Sequence, residues 1–178
     1  MKEDKVIFTI GHSTHPEDEF IGLLQSFSIS LVADVRNFPG SKRYPHFNRE
    51  VLELSLKRNN INYIHFKGLG GRRKAVEDSI NTRWRNAAFR GYADYMQTDA
   101  FKESASHLQE IAIKERVAYM CAEAVWWSCH RSLISDYLKI RGWKVMHIMA
   151  TGKADEHPFT SAARIVDGQV RYDEQKLF

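Results

Sequence analysis

Five short apolar runs alternate with stretches of helical spacing, and this alternation constrains the fold more than any other feature of the chain. Val6-Ile-Phe-Thr-Ile10, Leu31-Val-Ala-Asp-Val35, Tyr63-Ile-His-Phe66, Val117-Ala-Tyr-Met-Cys-Ala122 and Val145-Met-His-Ile-Met149 each read as a buried strand. They are runs rather than apolar–polar alternations, the pattern of strands covered on both faces. Between them, Phe20, Leu23, Leu24 and Phe27 recur at helical spacing on a segment that starts near Thr14-His-Pro16. Residues 51–58 read as a shorter helix, and a helical pattern returns from about Tyr92, with Phe101, Ala105, Leu108, Ile111 and Ala112 on one face. Leu133, Ile134, Tyr137 and Leu138 mark a last helix, closed at Arg141-Gly142 with glycine as C-cap. Strands and helices in this order predict an α/β fold: a single domain with a mostly parallel, roughly five-stranded sheet flanked by helices. Near the end, Asp167-Gly168 between Arg164 and Tyr172 predicts a small C-terminal hairpin.

One domain over 1–178 is the expected organisation, with a long basic and helical insertion at about 68–116 between the third and fourth strands. No apolar stretch approaches the roughly 20 residues that span a bilayer, and the charged start Met1-Lys-Glu-Asp-Lys5 is unlike a secretory leader. With only two cysteines, the chain suits a reducing cytoplasm, where thiols are catalytic, metal-binding or plain core more often than disulfide-bonded. The formal charge of +4 is unevenly placed. The segment 67–90 carries +5 and the rest −1. Such a segment attracts phosphates or nucleic acid, or is simply a solvated basic face.

Chemically capable residues gather where strands end. Gly11-His12-Ser13 follows the first, Asp34-Val-Arg36 with Pro39-Gly-Ser41 the second, and Lys67-Gly68-Leu-Gly70-Gly71 the third. Cys121-Ala-Glu123 closes the fourth and Thr151-Gly152 the fifth. In an open parallel sheet these positions share the carboxyl edge, where ligands bind. The densest stretch runs from Cys121 to Arg131 and holds both thiols, Glu123, His130 and Arg131. A thiol near a helix start ionises more easily, because unpaired N–H groups present partial positive charge there. Cys129, Glu123, Asp34, His130 and His12 are therefore the candidate catalytic residues. Arg131, Arg36, Ser13, Ser41, Gly70, Gly71, Arg72 and Arg73 are the candidate substrate- or anion-binding ones.

Each candidate has a plainer counterpart. Cys121 ends an apolar strand and reads as an inert core thiol. Asp34 is either a working carboxylate or the structural partner of Arg36, and Arg131 either anchors an anion or pairs with Glu123. His65 and His147 lie inside apolar runs as satisfied core residues, and Trp126 and Trp127 pack beside the sheet or stack a base. Neither thiol begins a Cys-x5-Arg phosphatase loop, since Trp127 and Ser135 stand at the arginine position. The chain has no phosphate-binding P-loop, no Cys-x-x-Cys pair, no dinucleotide fingerprint and no zinc-finger spacing.

Taken together, Thr9-Ile-Gly11-His12-Ser13, Asp34-Val-Arg36 with Pro39 and Ser41, glycines 68, 70 and 71, and Cys121-x-Glu123 with Cys129-His130-Arg131 resemble the domain of unknown function 488 family. The resemblance spans residues 9 to about 150 and implies a compact α/β domain with the same strand-end residues marked. It supplies no reaction. From the residues themselves, the expected function is a cysteine-dependent hydrolase or transferase of the cytoplasm, acting on a phosphate-bearing substrate, a nucleotide or nucleic acid, through Cys129. Two alternatives stand beside it: a non-catalytic module that binds single-stranded nucleic acid, and a metal-dependent hydrolase built from His12, Asp34, Glu123 and Cys129. The sequence assigns no metal ligands, names no cofactor, and leaves the oligomeric state undetermined. An anionic small molecule or single-stranded nucleic acid is the expected partner, and a membrane is not.

Overall fold

A computed structural model describes residues 4–175, so the ends of the 1–178 assignment, including the first residues of the charged start, lie outside it. β1 (Val6–Gly11), α1 (Glu17–Ser26), β2 (Leu31–Asp34), α2 (Arg49–Arg58) and β3 (Asn62–His65) follow in order. α3 (Ala87–Tyr95), α4 (Asp99–Lys114), β4 (Val117–Cys121), α5 (Arg131–Ile140), β5 (Lys144–Ala150) and β6 (Lys153–Glu156) come next. The sheet order is β3-β2-β4-β1-β5-β6. The first five strands are parallel, and β6 pairs antiparallel to β5 at one edge. The single mixed α/β domain is as the sequence predicts.

Side-chain alternation along each strand feeds two cores. Phe8, Ile10, Val32, Ala118 and Met120 pack on Phe20 and Leu24 of α1 and Leu52 and Leu56 of α2. Ile7, Ala33, Val117 and Tyr119 face the other way, onto Phe101 and Leu108 of α4 and Leu133 and Leu138 of α5. Burial on both sides is what the unbroken apolar runs require. None of the described helices is long and apolar enough to cross a membrane.

The order reverses at the neighbouring strands β1 and β4. From β1 the chain moves through α1 to β2 and β3. From β4 it moves through α5, on the opposite face, to β5. Connections leaving adjacent strands to opposite faces open a crevice at their carboxyl ends. Gly11 of β1 and Cys121 of β4 stand side by side in register at that point.

Three features depart from the sequence reading. The helical stretch around residue 92 starts earlier, at Ala87, and is two helices rather than one: Asn86 caps α3, and Thr98 caps α4 by accepting the Phe101 N–H. The sixth strand carries Lys153, Asp155 and Glu156, a polar edge with no apolar run to announce it. Cys129 lies two residues ahead of α5, with His130 at the N-cap. The predicted hairpin is β7 (Arg164–Val166) and β8 (Gln169–Arg171), with Asp167 and Gly168 both at positive φ as a two-residue turn demands.

Candidate functional site

Cys121 ends β4 on the face that α5 covers, and the chain returns after a short turn at Trp126–Ser128 to bring Cys129 and His130 beside it. The Cys129 Sγ accepts the Arg131 main-chain N–H at 3.5 Å, taking the place of a capping oxygen at the start of α5. His130 Nε2 lies 2.9 Å from the Val35 carbonyl, which can only accept. Nε2 therefore carries a proton, and Nδ1 faces Cys129 Sγ at 3.6 Å and Cys121 Sγ at 3.9 Å. Burial would raise the Cys129 thiol. The neighbouring Cys121 thiol, the Arg131 charge and the Arg131 N–H outweigh burial and bring it down to about 7. The adjacent Cys129 sulfur first, and then burial, pushes Cys121 up to about 12. One sulfur is set to be a thiolate and its neighbour to keep its proton.

Arg131 is only 2% exposed although charged. Its guanidinium donates to Thr9 Oγ1 at 2.7 Å and to the Glu123 carbonyl at 2.7 Å. The Glu123 carboxylate itself is exposed at the crevice. From Thr9 the bonds continue inward: Thr9 Oγ1 to His147 Nδ1 at 3.0 Å, His147 Nε2 to His157 Nδ1 at 2.9 Å, and His157 Nε2 to Asp136 Oδ1 at 2.9 Å. With one proton on each ring, every donor from Thr9 to His157 meets an acceptor. Burial first, then His157 and Arg131, lowers His147 to about 2. Asp136 also accepts from Thr160 and the Tyr172 hydroxyl. A buried cation and a buried carboxylate are thus joined through Thr9, His147 and His157, and Trp126 stacks flat on His147 at 4.5 Å.

Asp34, Arg36 and His12 form a second group on the opposite face of the sheet. Arg36 clamps both Asp34 oxygens, at 2.9 and 2.7 Å, and donates to the Phe47 carbonyl. Tyr63 donates to Asp34 at 2.6 Å. His12 stacks on Phe47 at 4.1 Å, donates Nδ1–H to Ser13 O, and is lowered to about 4, chiefly by burial. Between Asp34 and Arg36 stands Val35, whose carbonyl holds His130, so the clamp fixes the strand end that orients the imidazole.

A crevice of about 360 Å³ opens over the thiols, walled by Phe38, Phe89, Tyr92 and Gly71, with Arg72 exposed beside it. A larger cavity of about 560 Å³ lies between α3, α5 and the hairpin, but it carries no thiol or imidazole. Gly71 passes so close that a Cβ there would lie 3.0 Å from His130 Nδ1, and Gly70 likewise abuts Asn37. Ser13 and Ser41 are turn residues: the Ser13 N–H donates to Ala122 O, and the Ser41 hydroxyl accepts from the Tyr44 N–H. Arg73, Arg83 and Arg90 donate to main-chain carbonyls, which leaves Lys67, Arg72, Lys74 and Arg85 exposed in the basic segment. Trp84 packs between Phe89 and Tyr172.

The structure thus brings Cys121, Cys129 and His130 together, and their three ligand atoms lie within 4.8 Å of one another, the one such group among the described residues that could hold a metal. His12, Asp34 and Glu123 do not join it. The sequence reading gave Thr9 no role of its own and left Asp136 and His157 unmarked. The available signal was Asp136 on the buried side of the α5 pattern, where a lone carboxylate needs partners.

Compared with curated proteins and with solved structures, the chain finds no match. A family model does match, described as Domain of unknown function DUF488, over residues 17–138. That span runs from α1 to α5 and contains Asp34, Arg36, the glycines at 68–71 and the whole Cys121–Arg131 stretch. It covers about two thirds of the chain, and the protein belongs to the DUF488 family.

Proposed function

We propose that this protein is a cysteine-dependent hydrolase or transferase in which Cys129 is the nucleophile and His130 Nδ1 exchanges its proton. One observation carries the reading: the Cys129 sulfur accepts a helix N-terminal N–H, sits 3.6 Å from His130 Nδ1, and lines the crevice. Arg131 acts as a positioning residue, because its guanidinium is buried and bonded to Thr9 and Glu123. Arg36 is committed to Asp34 in the same way. Arg72 is then the cation that meets an anionic group on the substrate, a phosphate or carboxylate. A crevice of about 360 Å³ suits a compact molecule rather than a polymer. The basic segment gives less support to nucleic acid, since Trp84 is packed and three of its arginines hold main-chain carbonyls.

The Cys121, Cys129 and His130 atoms within 4.8 Å of one another favour a second reading, a soft divalent metal on these three ligands with a fourth position toward the crevice. Alkylation against pH, run on tag-free protein before and after chelation, separates the two. The thiol reading expects Cys129 to label with a midpoint near pH 7, unchanged by chelation, and Cys121 to stay silent. A stoichiometric metal whose removal is needed for labelling would replace it with the metal reading. Labelling that rises only at the ordinary thiol range, about 8.5, would remove the nucleophile.

A further inference from the structure

A single-thiol mechanism uses Cys121 only to lower its neighbour, yet Cys121 is placed against Cys129 and shares the same imidazole. The two sulfurs lie within 4.8 Å of each other and at 3.6 and 3.9 Å from His130 Nδ1, both on the crevice wall. They come from different elements, the end of β4 and the approach to α5, so the chain between them is a seven-residue excursion rather than a tight Cys-x-x-Cys turn.

From this juxtaposition we infer that Cys129 and Cys121 are an attacking and a resolving thiol that reduce a compact disulfide bound in the crevice. The inference rests on Cys129 being the nucleophile and names sulfur as the electrophile it meets. In the first step the Cys129 thiolate attacks one sulfur of the substrate, the substrate S–S bond breaks, and one thiolate leaves. In the second, Cys121 gives its proton to His130 Nδ1 and attacks Cys129 Sγ. A Cys121–Cys129 disulfide forms, the second substrate thiolate leaves, and His130 returns the proton to it. Two electrons pass from the dithiol to the substrate, which leaves as one thiolate, free to take a proton from water, and one thiol, and the protein ends oxidised. A dithiol reductant of the cell must then restore it.

The surroundings fit such a substrate. Phe38, Phe89 and Tyr92 offer apolar walls, and Arg72 beside them meets a carboxylate. Phe38 is 67% exposed, so the walls are open to an entering molecule. Cys121 needs a base to act, and its hydrogen-bond partner on the imidazole is in place.

The test uses dithiobis(nitrobenzoate), an aromatic disulfide with carboxylates, on the reduced full chain, with released thiolate read by absorbance and the protein by intact mass. The wild type is expected to release about two equivalents and to lose two hydrogens with no adduct retained. Cys121→Ser is expected to release about one equivalent and keep a mixed disulfide on Cys129. A wild type that retains the adduct on Cys129 overturns the dithiol inference and leaves Cys129 as nucleophile. An adduct on Cys121 alone, or undiminished release from Cys129→Ser, overturns both. Because serine is isosteric with each thiol, circular dichroism of both variants checks that the fold is retained.

Discussion

Residue-level geometry around the thiols depends on two glycines chosen for space rather than for a left-handed backbone. At Gly11 a Cβ would lie 1.8 Å from the Glu123 carbonyl oxygen and 2.9 Å from the Arg131 guanidinium. The atom in the way is backbone, so something must move, and the Glu123–Arg131 bond is the first to go. Gly11→Ala is expected to cost about 3 kcal/mol or more in urea unfolding, at the upper end for overpacking. Gly71→Ala is gentler, because its Cβ meets the His130 ring, which can shift a little. There the expected result is a folded protein whose Cys129 labelling slows, as Nδ1 is pushed off the sulfurs. Labelling at the wild-type rate would mean that the 3.6 Å contact does not govern the thiol.

At the scale of elements, the end of β2 is held by an ion pair between a fully buried Asp34 and a nearly buried Arg36. Such a pair is a weak source of net stability, but breaking it strands a charge, which costs about 3–5 kcal/mol. Arg36→Met is therefore expected to lower unfolding stability by about that amount. Arg36→Lys recovers only part, because one ammonium cannot replace the donors that reach both Asp34 oxygens and the Phe47 carbonyl. Chemical denaturation of the three proteins checks the order, and equal midpoints would show the clamp to be dispensable. The line from Arg131 to Asp136 works the same way across the other face, tying β1, β5, α5 and the stretch after β6 together through buried polar atoms.

For the whole molecule, the buried histidines link stability to acid. His12 is held at about 4 and His147 at about 2, against 6.5 for a free ring. Below pH 6.5 the unfolded chain takes up protons that these two sites refuse. Stability is therefore complete above that value and falls as pH drops, down to about 4 for His12 and further for His147. The loss between pH 7 and pH 5 is about 2 kcal/mol for each ring. Urea unfolding at the two pH values is expected to show it, and His12→Gln to reduce it. A stability unchanged over that window would mean that both rings titrate as they do in water. The charged groups facing these rings are Asp34 and Arg36 for His12 and, through Thr9, Arg131 for His147.

The sequence by itself determined the layered architecture, because apolar runs and helical spacing are local patterns that record how much of each segment is buried. It also placed the chemically capable residues at strand ends, a consequence of parallel strands and nothing more. Strand β6 and the break between α3 and α4 were illegible, since a polar edge strand and a single capping threonine leave almost no periodic trace. Only the tertiary structure decided which strand-end residues meet. Strand order put Cys121 beside Gly11, the return of the chain put Cys129 and His130 against Cys121, and Asp34 with His12 fell on the far face of the sheet. Arg131 and Asp136, five residues apart on α5, are joined only through β1, β5 and the segment after β6. Such bonds depend on distance in space, which one-dimensional spacing does not encode.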